Sequence, residues 1–185
     1  MPKERLKKWK VLQSQYVEKS PWVNWRVDSC SLPNGAQIDD FHISEVPPGV
    51  GVVALTAQDD VILVCQYRHG SRKFMLEIPG GNISPRDRSP LGAARRELLE
   101  ETGYSSSRWM HLGNLFAHPA SQESRIFLYL ALNAKQTGMQ SLDHSEQIQV
   151  KWIPIERVLG MIRSGRVPSL GTVAAILLAR ARVLQ

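Results

Sequence analysis

The feature that most constrains this chain is a strand that runs into Pro79-Gly80-Gly81, then a short loop, then a helix whose start and stop are both written in the residues. Ser89 suits an N-cap, Pro90 suits the first helical position, and Gly103 supplies a left-handed stop, so a helix is expected over residues 90–102. At 100° per residue, Leu91, Ala94 and Leu98 fall on one narrow stripe that must be buried. Glu97 and Glu101 stand one above the other at the lip of that stripe, and Glu100 lies three residues from Glu97. Carboxylates so spaced repel, each contact costing about 0.2–0.5 kcal/mol in water, and more beside a core, where the dielectric is lower. They also occupy the helix half in which the macrodipole disfavours negative charge. Two readings compete. Either the acids form a solvated face neutralised by Arg95 and Arg96, or they gather around a hard divalent cation, Mg²⁺ or Mn²⁺ rather than zinc, since no His or Cys accompanies them. Gly80-Gly81 favours the second, because glycine permits close backbone approach to a ligand and leaves a carbonyl free to join a metal shell.

The segments around this helix read mostly as strands. Residues 9–17, 22–32 and 37–46 form an antiparallel meander, its last two strands joined through Pro33-Asn34-Gly35, a strong hairpin signal. Pro47-Pro48-Gly49 then breaks the chain, which places an N-terminal β appendage at 1–46 and a main domain at 47–185. Strands are expected at 50–55, 61–67, 74–78, 109–117, 125–132 and 147–153, with closing helices at about 155–164 and 172–184. That order implies an α+β fold, an α/β/α sandwich around a mixed sheet.

Bulk properties narrow the partners. No apolar run reaches the roughly 18 residues needed to span a bilayer, and the basic amino terminus lacks the apolar segment of a secretory signal. Cys30 and Cys65 form no CxxC pair and read as two reduced, buried thiols, so the expected location is cytoplasmic. A net charge of +6 and a pI near 9.6 favour anionic partners, nucleic acid or small phosphates, although much of the excess comes from Lys3, Arg5, Lys7, Lys8 and Lys10.

Residues 81–104 resemble the Nudix box, whose pattern is G-x5-E-x7-R-E-U-x-E-E-x-G-U, with U an aliphatic or bulky apolar residue. The run Arg96-Glu97-Leu98-Leu99-Glu100-Glu101-Thr102-Gly103-Tyr104 matches its second half throughout. The first half departs: counted back from Arg96, the acid's position holds Arg88 and the glycine's holds Asn82. One extra residue in the loop accounts for this, with Asp87 as a partial replacement for the acid. The resemblance implies that Glu97 and Glu101 are the main Mg²⁺ ligands, with Mn²⁺ as a possible substitute. It assigns Glu100 an auxiliary ligand or supporting role, has the Gly80 carbonyl complete the shell, and has Arg96 hold the glutamates by ion pairing.

Neighbouring segments are similar to the branch of this family that cleaves ADP-ribose and other nucleoside diphosphate sugars. In residues 61–84, Arg68 stands where the branch has an arginine for the diphosphate or terminal ribose; a surface salt bridge is the competing reading. Glu77 matches the acid before Pro-[Ala/Gly]-Gly and is a candidate contact for substrate or metal. The loop His118-Pro119-Ala120-Ser121-Gln122-Glu123 resembles, weakly, the segment lining the sugar side. Within residues 143–150, Glu146 occupies the position of a catalytic base. The appendage fits a branch in which it exchanges between the subunits of a homodimer and helps bind the base. Trp22 and Trp25 are candidates for that stacking surface, against a simple packing role.

The resemblance therefore implies Mg²⁺-dependent cleavage of a nucleoside diphosphate sugar, ADP-ribose, GDP-mannose or similar, to a nucleoside monophosphate and a sugar phosphate. Neither a membrane nor nucleic acid is the expected partner. Two alternatives stay open: an RNA-end or nucleoside triphosphate pyrophosphohydrolase, and a non-catalytic nucleotide sensor.

Overall fold

The computed structural model describes residues 5–183. Lys3 of the basic tail and Leu184 of the last expected helix lie outside them. By contact the chain groups into two units: the residues up to Pro47 together with His118–Ser124, and Pro48–Ala117 together with the residues from Arg125 onward.

The first unit is an antiparallel sheet of three strands, β1 (Lys10–Lys19), β2 (Asn24–Ser31) and β3 (Gln37–Glu45), in that spatial order. Its β2–β3 turn closes as the sequence indicates, with Gly35 at φ +87° and paired bonds Leu32 N–H to Ala36 O (2.8 Å) and Gly35 N–H to Leu32 O (3.0 Å). The segment His118–Ser124 joins it through the Ser44 N–H donating to Ser121 O at 2.9 Å.

The second unit is built on a mixed sheet. Its strands are β4 (Gly49–Leu55), β5 (Asp60–Arg68), β6 (Lys73–Glu77), β8 (Arg108–Phe116), β9 (Arg125–Leu132) and β11 (Gln149–Pro154). They run β11-β5-β4-β9-β8, with β6 also paired to β5. Only β4 and β9 are parallel; the other pairings are antiparallel. Two short strands, β7 (Tyr104–Ser105) and β10 (Lys135–Gln136), pair with each other. Two-residue strands carry no period to read, so sequence gives no sign of them.

Successive residues of a strand point to opposite faces, and here each face is covered. Val50, Val52 and Ala54 of β4, Ile62 of β5, and Tyr129 and Ala131 of β9 pack with Ala93, Ala94 and Leu98 of α1 (Pro90–Thr102). Their alternates Val53, Leu55, Val61, Leu63, Leu128 and Leu130 pack with Val158 and Leu159 of α2 (Ile155–Arg163) and with Ala175, Ile176 and Ala179 of α3 (Leu170–Val183). The result is an α+β sandwich with the central sheet buried on both sides. Cys30 is buried, but Cys65, near the end of β5, is partly exposed, so only one of the two thiols is sequestered; neither is in a disulfide.

Candidate functional site

Helix α1 begins and ends where its cap residues dictate. Ser89 Oγ accepts from Gly92 N–H (3.0 Å), and Gly103 sits at φ +75° with its N–H on Leu99 O (2.8 Å). Its buried face is wider than the expected stripe. Ala93, Ala94 and Leu98 are fully buried and Leu91 only partly, while Glu97 and Glu101 keep just 8% and 3% of their surface. The two carboxylates stand inside the face rather than at its lip. Apolar spacing alone hides this, because the loop after β6 is what closes over them.

That loop can approach because it lacks side chains. A Cβ on Gly81 would lie 2.7 Å from Glu97 Oε1, and one on Gly80 would lie 2.2 Å from the Val50 carbonyl oxygen. Val50 N–H donates to Gly81 O (2.8 Å) and Val52 N–H to Pro79 O (2.9 Å), fixing the loop on β4. Gly80 N–H donates to Glu101 Oε2 at 2.8 Å, so its amide faces the acidic pair.

Arg96 ties the helix to the preceding loop. Its guanidinium donates to Asp87 through Nε (3.0 Å) and Nη2 (2.8 Å), to Glu97 Oε1 (2.8 Å), to Glu100 Oε2 (2.9 Å) and to Asn82 O (3.2 Å). Asp87 Oδ2 also accepts from Ser84 N–H at 2.8 Å. Counting forward from Gly81, five residues lead to Asp87, so Asp87 takes the place of the pattern's acid, and the extra residue falls between it and Arg96. Counting forward from Gly81 instead of back from Arg96 gives this assignment.

Charge and burial pull these groups in different directions. The hydrogen bond from Arg96 holds the Asp87 carboxyl below the usual carboxylate range. Burial pushes Glu97 up; Arg96 partly offsets this, and the charges of Glu100 and Glu146 add to it. Glu101 is raised to about 8, chiefly by burial, against the opposing Gly80 N–H and with the charges of Glu97 and Glu146 adding to the rise. Two buried acids that disfavour their own ionisation are stabilised as a pair of anions by a cation placed between them and the loop.

The donor set suits a hard ion. Among the described residues no three His, Cys, Asp or Glu side chains converge as a ready-made cage. Glu100 turns its carboxylate to Arg96 and is 41% exposed. Mg²⁺ is commonly held by one or two carboxylates and completed by water and substrate phosphates, not by an all-protein cage. Glu97 and Glu101 fit that mode.

Of the other candidates, Glu146 sits in the loop before β11, close enough for its charge to raise both Glu97 and Glu101. Its own carboxylate accepts from Asp143 N–H at 3.1 Å. Arg68 and Glu77 prove to be each other's partners, Nε to Oε2 at 2.6 Å, on the adjacent strands β5 and β6. Arg68 is near enough to Glu101 to favour its charged form. The structure thus brings Gly80, Glu97, Glu101, Arg68, Glu77 and Glu146 into one neighbourhood.

Trp22 and Trp25 belong to the first unit. Trp22 lies in the turn between β1 and β2, where Ser20 Oγ bonds Val23 O (2.8 Å) and accepts from Val23 N–H (3.0 Å). The indole is 76% exposed and lines a cavity of about 260 Å³ together with Asn24, Glu45 and Pro47. Trp25, on β2, is 42% exposed. Neither is packed away.

The chain is similar to known proteins along most of its length. Residues 45–171 match the NUDIX domain model, and residues 9–44 match the nucleoside diphosphate sugar hydrolase N-terminal domain. The chain is 30% identical to the methanol dehydrogenase activator of Bacillus methanolicus over 90% of both chains. It is 29% identical to an ADP-ribose pyrophosphatase of Mycobacterium tuberculosis, covering 82% of this chain and 73% of that one. Against the ADP-ribose pyrophosphatase of Bacillus subtilis it is 27% identical over 90% of each. A solved ADP compounds hydrolase superposes with a TM-score of 0.83 over 97% of this chain and 96% of that one, at 22% identity.

Proposed function

The chain belongs to the Nudix family, and we propose on that premise that it hydrolyses the pyrophosphate bond of a nucleoside diphosphate sugar such as ADP-ribose or GDP-mannose. The observation that carries this reading is the buried pair Glu97 and Glu101 facing the Gly80-Gly81 loop. The N-terminal match to a nucleoside diphosphate sugar hydrolase domain, and relatives named ADP-ribose pyrophosphatase, support the substrate class.

Glu97 and Glu101 would hold Mg²⁺, or Mn²⁺ in its place, with the Gly80 carbonyl and Glu100 as further oxygen donors. When bound there, the ion supplies charge neutralisation for the diphosphate. Arg96 keeps Glu97 oriented from its anchor on Asp87. Arg68, itself held by Glu77, offers a guanidinium to the diphosphate or the terminal ribose. Glu146, or Glu100, takes the proton of the attacking water. The water oxygen bonds to one phosphorus as the bridging P–O bond breaks, releasing a nucleoside monophosphate and a sugar phosphate. Trp22 and Trp25 offer stacking faces for the base, worth about 1–3 kcal/mol per base. The exposed β1 edge suits pairing with a second copy of the chain.

The test is monophosphate release with Mg²⁺ from ADP-ribose and GDP-mannose side by side, alongside nucleoside triphosphates and 5′-triphosphorylated RNA. Preference for a diphosphate sugar is the expected result. Preference for a triphosphate or RNA end would replace this reading, and binding without turnover of any of them would make the protein a sensor.

A further inference from the structure

The group proposed as base rides on an exposed loop, and its own neighbours do little to aim it. Asp143, His144 and Ser145 are exposed, and Glu146 is bonded only within the loop, its N–H on Asp143 O (2.9 Å) and its carboxylate on Asp143 N–H. What holds the loop lies at its two ends. Residues 137–141 dock on the C-terminus of α1: Thr137 and Gly138 N–H donate to Gly103 O (2.9 and 3.1 Å), and Ser141 N–H donates to Glu100 O (2.9 Å). The approach is tight enough that a Cβ on Gly103 would lie 2.5 Å from Gly138 O.

Gln140 completes the attachment. Its side-chain Nε2 donates to the backbone carbonyl of Glu101 at 2.7 Å and reaches the carbonyl of Ile148 at 3.4 Å. One amide nitrogen has two hydrogens, so it can serve both the carbonyl in α1 and the carbonyl just before β11. The first carbonyl belongs to a residue whose side chain is in the acidic pair. The second lies two residues beyond Glu146, on Ile148, which is buried. A single side chain therefore joins the start of the loop, the end of the loop and the last turn of α1. Pinning both ends restricts the ensemble of a loop that is otherwise free to wander.

We propose that Gln140 is a positioning residue that fixes the distance between Glu146 and the Glu97–Glu101 pair by clamping both ends of the 140–148 loop to the end of α1. The proposal rests on the base role given to Glu146 above. Both hydrogen bonds of the Gln140 side chain go to backbone carbonyls, so its influence runs through loop placement. Removing its donor lowers turnover and leaves substrate affinity as it was.

The variant is Gln140→Met, which keeps the length of the side chain and removes the N–H groups. Two measurements are made on it. Amide hydrogen exchange is expected to rise about tenfold at Ser141 and Glu146, with the core amide of Val52 unchanged. In steady-state assays kcat is expected to fall about tenfold with KM unchanged, as for a misaimed proton acceptor. Unaltered exchange at Ser141 and Glu146 overturns the clamp. Faster exchange with full kcat, or with the loss confined to KM, overturns its link to Glu146. A parallel Glu146→Gln variant tests the reading beneath it: full turnover there removes Glu146 as base, whereas the exchange result on Gln140→Met still decides whether the clamp exists.

Discussion

The two sheets of this protein are held together by opposite means. In the central sheet Val52, Val53 and Ala54 of β4 and the run from Val61 to Val64 in β5 are fully buried, and helices cover both faces. In the N-terminal sheet every residue of β1 is exposed, and among the described residues of that unit only Asp28 and Cys30 are buried. Its cohesion is polar. Arg26 pairs with Asp28 (2.9 Å) and with Glu45, and Tyr16 Oη donates to Glu45. Burial raises the Asp28 carboxyl, but hydrogen bonds from Arg26 and Ser14 outweigh it and leave the acid below its ordinary range. Trp9, Val11, Leu12, Tyr16 and Val17 keep 42–60% of their surface exposed, Trp9 packing edge-on against Phe41. One region is a finished core with costly acids embedded in it; the other is a sheet whose first strand is exposed along its whole length.

The first way to break that contrast is to remove the acids. Glu101→Gln or Glu97→Gln is expected to lower Mg²⁺-dependent turnover about a thousandfold or more, measured as monophosphate release by protein shown to be folded. Charging the exposed strand comes next. Leu12→Asp with Val17→Asp is expected to weaken self-association about a hundredfold, read from a concentration series by light scattering, and a molar mass that never changes would detach β1 from pairing. Trp22→Ala is expected to raise KM about tenfold with little change in kcat; a change confined to kcat would move Trp22 out of base binding.

The smallest expected effect concerns pH. Glu101 titrates near 8 in the folded chain against an ordinary value of 4.5. Folding therefore favours its protonated form. This contribution to stability is complete below about pH 4.5 and is lost as pH rises through about 8. In chelator, Tm at pH 6 is expected to exceed that at pH 9, and Glu101→Gln to shrink the difference by about 3–6 °C. An identical pH dependence in the variant would mean that Glu101 is ionised throughout.

What could be read in advance follows the range of the interactions. The caps Ser89 and Gly103, the Asn34-Gly35 turn and the strand alternation are local, and each stands where its residue type implies. The box's second half is equally local, since one helix carries it. Site details that join distant segments were not visible. Burial of Glu97 and Glu101 depends on the Gly80-Gly81 loop, which lies more than a dozen residues earlier in the chain. The Arg68–Glu77 pair depends on the β5–β6 register, and the reach of Gln140 depends on a docked loop without regular structure. No periodicity encodes such contacts. Asp87 is an intermediate case, legible only once the count runs forward from Gly81.

The path of residues 118–124 has a consequence for how the molecule can be divided. The chain leaves the second unit after Ala117, accepts the Ser44 N–H on the Ser121 carbonyl, and returns at Arg125. The N-terminal sheet is thus sewn to the rest by three passages of the backbone instead of one. A cut at Pro48 does not release a module. It strips the partner from an internal loop and leaves the Ser121 carbonyl, Glu123 and their neighbours without the strand they were folded against. In modular terms the first unit behaves as a patch stitched at both hems, so any exchange of it between relatives has to carry this loop along.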